Sequence, residues 1–140
     1  MENNNLDRFL KAQKSTYDIA LNEILNGRKT THWMWYIFPQ LSGLGRSEMA
    51  TYYGIKDLKE AKEYLKHPIL GQRLLEISTA LLKHTSKSAN EIFGSPDDQK
   101  LHSSMTLFSS VENADPVFKE ILNQFYNDHL DLSTIKRLDQ

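Results

Sequence analysis

The chain has 140 residues, 39% of them hydrophobic and 25% charged, which excludes a disordered chain and fits one globular domain over residues 1–140. Its formal net charge is -1 and its pI about 6.5, so nothing in bulk charge draws it to nucleic acid or to an anionic membrane. It has no cysteine, which excludes disulfides, thiolate nucleophiles and cysteine-based zinc sites.

The opening Met1-Glu-Asn-Asn-Asn5 has no basic stretch and no apolar run behind it, so no signal peptide is expected. The longest apolar run, 33–38, is far below the ~20 residues of a membrane helix. A soluble, cytoplasmic protein is the expectation.

Leu6, Phe9, Leu10, Gln13, Tyr17, Ala20, Leu21, Ile24 and Leu25 recur at helical spacing and predict one long first helix. Asn4 or Asn5 caps its start, and Gly27 suits the left-handed position past its end. The run 33–38 is too uniformly large to show a period. Pro39 biases Phe38 toward extended backbone, and either a short buried helix or an extended segment is allowed. Residues 41–47 hold two close glycines and read as a loop, with Ser47 capping a short helix that Gly54 ends.

Asp57 predicts a helix over 58–66 with Leu58, Ala61, Tyr64 and Leu65 on one face. His67-Pro68 starts the next, whose face is Leu70, Leu74, Ile77, Leu81 and Leu82. Ser88 and Glu91 match a capping box, and Ser95-Pro-Asp-Asp98 leads into a helix over 100–108. Asp115-Pro116 begins another, with Phe118, Ile121, Leu122, Phe125 and Tyr126 inward, and 133–138 forms a last short one. Almost nothing alternates with period two. The expected fold is all-α: a single compact domain of several short and medium helices with one long N-terminal helix.

The densest candidate for function is 32–47. The rings of His32, Trp33, Trp35, Tyr36 and Phe38 suit a platform for a flat ligand, or equally a core. In a helix Trp33 and Trp35 point about 200° apart, whereas an extended segment puts them on one face. Gly43-Leu-Gly45-Arg46-Ser47 offers backbone N–H groups, a guanidinium and a hydroxyl to an anion, or is simply a turn with a serine cap. Asp97 and Asp98 could act as acid and base or bind a ribose, although acids in a first helical turn also offset the helix dipole. Lys100, Ser103, Ser104 and Thr106 cluster after them. The five histidines have no metal-binding spacing, and no metal or cofactor is expected. The serines lack a GxSxG elbow.

The string Gly27-x-Lys29-x-x-His32-Trp-Met-Trp-x-Ile-Phe-Pro-Gln40-x-x-Gly43-Leu-Gly45-x-Ser47 resembles the bacterial family called domain of unknown function 1810. The likeness continues through Tyr53, Ala61, Tyr64-Leu65, His67-Pro68-x-Leu70-Gly71-x-Arg73-Leu74, Ile92-Phe93-Gly94, Asp97-Asp98-x-Lys100-Leu101 and Ser103-Ser104-Met105-Thr106-Leu107-Phe108. It spans nearly the whole chain and implies a bacterial protein with a mainly helical fold, but no mechanism. A second, weaker resemblance is to the NADAR group, the NAD- and ADP-ribose-associated domains. It is carried by Asp7-Arg-Phe-Leu-Lys-Ala-Gln-Lys14, by Leu81-Leu82-x-x-Thr85 and by Phe93-Gly94. Some members of that group cleave N-glycosidic bonds. Asp7 stands where that group has a glutamate, and its glycine-rich C-terminal element has no counterpart here.

Two functions follow as expectations. In the first, the domain binds or hydrolyses a nucleotide, ADP-ribose or phosphoribosyl compound. Trp33, Trp35 and His32 would stack the ring, with Gln40, Gly43 and Gly45 beside it. Arg46, Ser47, Lys14 and Lys29 would hold phosphate, and Asp7, Asp97 or Asp98 would contact ribose or activate water. In the second, the domain is a non-catalytic interaction module docking a protein through residues 32–38. A concave pocket at His32, Trp33 or Trp35 would favour the first, and a flat exposed aromatic patch the second.

Overall fold

The helical periodicity is realised as ten helices in a computed structural model that describes residues 6–139. They are α1 (Asp7–Gln13), α2 (Tyr17–Leu25), α3 (Met34–Ile37), α4 (Glu48–Tyr52), α5 (Leu58–Lys66), α6 (Leu70–Leu81), α7 (Ala89–Phe93), α8 (Asp97–Ser109), α9 (Val117–Tyr126) and α10 (Leu132–Leu138). No strand occurs among the described residues; one isolated parallel bridge joins Leu41 to Ile55. The fold is all-α, and no described helix is long and apolar enough to cross a membrane.

The expected long first helix is instead two. Residues 14–16 form a turn, where Ser15 and Thr16 have side chains that compete with helical backbone bonding. The break frees α1 to lie against α3 and α2 against α6. Gln13 fixes the joint from inside, donating Nε2–H to the Tyr36 carbonyl at 2.7 Å and to the Tyr64 hydroxyl at 3.1 Å, while its Oε1 accepts from Arg73 at 3.3 Å. The caps expected at Asn4 or Asn5 lie outside the described residues.

Most other helix ends follow from local chemistry. Gly27 takes φ +78° after α2, with the Arg28 N–H on the Glu23 carbonyl and the Gly27 N–H on the Ile24 carbonyl, the paired bonds of a Schellman end. Ser47, Asp57, Ser88 and Asp131 each accept from the backbone N–H three residues on, and Ser88 with Glu91 completes a capping box. Pro68 lies in a turn ahead of α6 rather than within it. The imidazole Nδ1 of His67 accepts from the N–H groups of Ile69 and Leu70, so His67 caps that helix. Helix α8 begins at Asp97, three residues before its expected start.

Helix α8 is the axis of the core, packed by α5, α7, α9 and α10. Residues 103–108 are buried on every side, as expected for a helix surrounded by others. Its polar residues serve the packing. The Asp131 carboxylate accepts from the Ser103 hydroxyl at 3.0 Å and from the backbone and hydroxyl of Thr134, while the Thr106 hydroxyl accepts from the Asp131 N–H at 2.9 Å. Thus Ser103 and Thr106 pin α10 to α8. Ser104 and Ser78 are fully buried and their hydroxyls have no partner.

Candidate functional site

The segment 28–33 is held by Glu23, which reaches across the Gly27 turn. Its carboxylate accepts from the N–H groups of Thr30 and Thr31 at 2.8 and 3.1 Å, from the Thr31 hydroxyl at 2.6 Å and from the Trp33 indole N–H at 2.9 Å. Partial burial opposes its charge, but the four bonds outweigh that and lower its pKa from 4.5 to about 2. This clasp sets the direction in which the aromatic run enters the fold.

The run then divides. Trp33 is completely buried, with its ring 6.2 Å from Phe38 and 6.4 Å from Phe93. Met34, Ile37 and Phe38 are buried with it. Trp33 was expected to stack a ligand, but it is buried among Phe38, Phe93 and the Lys29 ammonium and has no open face. The short helix α3 turns Trp35 and Tyr36 the other way, where both remain partly exposed. Trp35 borders a depression with Gln40, Ala50, Tyr53 and Lys100 that encloses only about 10 Å³, room for roughly one water. Tyr53 continues the surface, its ring centroid 5.2 Å from Tyr36 and 4.8 Å from Tyr52. Burial, and then the adjacent phenols Tyr52 and Tyr36, push the Tyr53 hydroxyl pKa upward. Tyr52 is 59% exposed and Met49 39%. His32 is exposed at the edge of the segment.

Charged groups gather beside both tryptophans. Lys29 Nζ lies 2.8 Å from Asp97, 2.7 Å from the Thr31 carbonyl and 5.0 Å from the centre of Trp33. Its side chain is only 7% exposed. Lys100 Nζ lies 3.8 Å from the same carboxylate and 5.5 Å from the centre of Trp35, a cation–π position. Asp97 therefore joins two lysines, and Lys29 is committed inside the fold. Asp98 accepts from Asn90 at 3.2 Å and from the Gln99 N–H, while its carbonyl accepts from Tyr126.

The glycine loop is a structural crossing. Gly43 has φ +94°, and the Arg137 guanidinium from α10 covers the place a Cβ would occupy while donating Nε–H to the Ser42 carbonyl at 3.0 Å. A Cβ at Gly45 would meet Ala50. The Ser47 hydroxyl is spent accepting from the Ala50 N–H at 3.1 Å. Arg46 is exposed. Asp7 and Lys14 are exposed on α1 and its end. The fold thus brings Lys29, Trp33, Trp35, Gln40 and Asp97 into one neighbourhood, with Gly45 at its margin through Ala50. It gives Gly43, Ser47 and Asp98 structural bonds or contacts of their own.

Lys100, Tyr53, Tyr52, Met49 and Glu23 were not among the expected site residues. The Asp97–Lys100 spacing of three marks one helical face and is a signal available in the sequence. The spacing of seven, eight and ten residues between Glu23 and its partners, across a reversing turn, follows no helical rule. Among the described residues, no three His, Asp or Glu side chains converge in a way that would hold a metal.

The sequence matches the family described as Protein of unknown function (DUF1810) over residues 3–138. The fold is similar to the crystal structure of the conserved hypothetical protein Rv1873 from Mycobacterium tuberculosis, with TM-score 0.94, 44% identity and 96% of each chain covered. No functionally curated protein matches. These matches carry the first family resemblance, and none of them supports the resemblance to the NADAR group. The chain belongs to the DUF1810 family of proteins of unknown function.

Proposed function

We propose that this domain is a non-catalytic interaction module that docks a protein segment on the outward surface of its aromatic run. The observation that carries this reading is the division of the run: Trp33 and Phe38 are buried in the core, while Trp35 and Tyr36 stay partly exposed, with Tyr36 against Tyr53 and Tyr53 against the exposed Tyr52. Partly exposed tryptophan and tyrosine are the side chains that most often anchor protein interfaces. Lys100 sets a cation beside Trp35, and the exposed Arg46 precedes α4. A partner segment with an aromatic or aliphatic anchor flanked by acids fits such a face.

A nucleotide or ribosyl ligand is supported less. The depression at Trp35 is far smaller than the roughly 300 Å³ from which small-molecule pockets start. Lys29, the expected phosphate contact, is nearly buried and held by Asp97. Selection of a random peptide library on the intact protein tests the reading. Enriched peptides should carry acidic residues around an aromatic or aliphatic anchor, and their binding should be lost in Trp35→Ala. Peptides that bind Trp35→Ala equally well would overturn it. So would a thermal shift with millimolar ADP-ribose, NAD or a phosphoribosyl amine that disappears in Trp35→Ala.

A further inference from the structure

A second concavity lies elsewhere, between α5, α6 and the loop that joins α8 to α9. It encloses about 340 Å³, within the roughly 300–1,000 Å³ of sites that hold small molecules. Its floor is apolar, made by Leu65, Leu75, Val111 and Phe118. The floor exists because α5 and α6 approach closely: a Cβ at Gly71 would press on the Leu65 carbonyl, so only glycine fits. The far wall is the loop 111–115, where Asn113 takes φ +63° and Asp115 spends one carboxylate oxygen on the Val117 N–H at 2.8 Å.

The rim is asymmetric in a way that selects a ligand. Lys62 and Lys66 stand one turn apart on α5, on the same edge of the cavity. Like charges at that spacing repel, and neither lysine forms an ion pair within the described chain. Glu112 stands on the opposite rim and is likewise unpaired. An anion at the α5 edge would relieve the repulsion while an apolar body covered the floor.

We infer that this cavity is a binding site for a small amphipathic organic acid, with its carboxylate between Lys62 and Lys66 and its apolar body on Leu65, Leu75, Val111 and Phe118. Nothing in this inference depends on the aromatic docking face.

The test uses 2-naphthoate and its neutral counterpart 2-naphthamide, titrated by calorimetry into the full chain. Wild type should bind 2-naphthoate saturably and the amide roughly tenfold more weakly, the size of a change of about 1.4 kcal/mol. The double variant Lys62→Glu/Lys66→Glu changes only exposed side chains, so its melting temperature should fall by no more than a few degrees, from the lost cation in the last turn of α5, while naphthoate affinity drops by about tenfold or more. Ala114→Trp, which fills the cavity from its wall, should remove binding of both compounds. Trp35→Ala should leave naphthoate binding as it is. The inference is overturned if neither compound binds, if acid and amide bind alike, if the charge reversal has no effect, or if Trp35→Ala abolishes binding.

Discussion

Two tryptophans two residues apart meet opposite fates, and the contrast between them explains the segment. Trp33 is walled in by Phe38 and Phe93 and its indole N–H is bonded to Glu23. Trp35, on the first turn of a four-residue helix, looks outward past Lys100. The same residue type is structural in one place and available in the other, because Trp33 precedes α3 in a non-helical conformation, φ -145°, while Trp35 lies inside that helix. An aromatic cluster read from a sequence is therefore two features, and only its outward half is open to a partner.

The largest expected effect separates the two halves. Trp33→Ala removes a fully buried ring and should cost about 3–5 kcal/mol in urea denaturation, in line with other large-to-small core changes. Trp35→Ala should cost less than about 1 kcal/mol in the same measurement, while removing peptide binding. Equal losses would mean that both rings are buried alike.

The next effect concerns the clasp. Glu23→Ala leaves the Thr30 and Thr31 N–H groups and the Trp33 indole without their acceptor and should cost about 2 kcal/mol. It also predicts a pH dependence. Because the folded chain lowers the Glu23 pKa from 4.5 to about 2, the fold favours the ionised form. That stabilisation is complete above pH 4.5 and is lost as pH falls through about 2. Acid titration of stability should therefore show a smaller drop between those values in Glu23→Ala than in wild type.

The smallest effect is in α8. Ser104→Ala removes a buried hydroxyl that has no partner, so stability should be unchanged or rise by up to about 1 kcal/mol. A loss of stability would mean that Ser104 has a partner in solution.

Much of the fold was legible because local rules decided it. The caps at Ser47, Asp57 and Ser88, the glycine after α2 and the apolar face of α6 were readable from spacing, whereas Leu58, expected on the apolar face of α5, is 37% exposed. The break at 14–16 was not, because apolar periodicity runs straight through it and the joint is fixed by Gln13 bonding to Tyr36, Tyr64 and Arg73. The same limit applies to the site. Trp35, Gln40, Asp97 and Lys29 were picked out by residue type, but the distant pairing of Lys29 with Asp97 is a tertiary fact. Tyr52 and Met49 escaped notice because α4 is only five residues long and shows no clear amphipathic face.

Trp33 is sealed and Trp35 is open, and NMR of their two indole N–H signals, from the chain's only tryptophans, in the presence of a neutral soluble paramagnetic probe separates the two states. The Trp35 signal should broaden strongly while the Trp33 signal, once assigned through Trp33→Phe, stays sharp. Equal broadening of both, or protection of both, would contradict it.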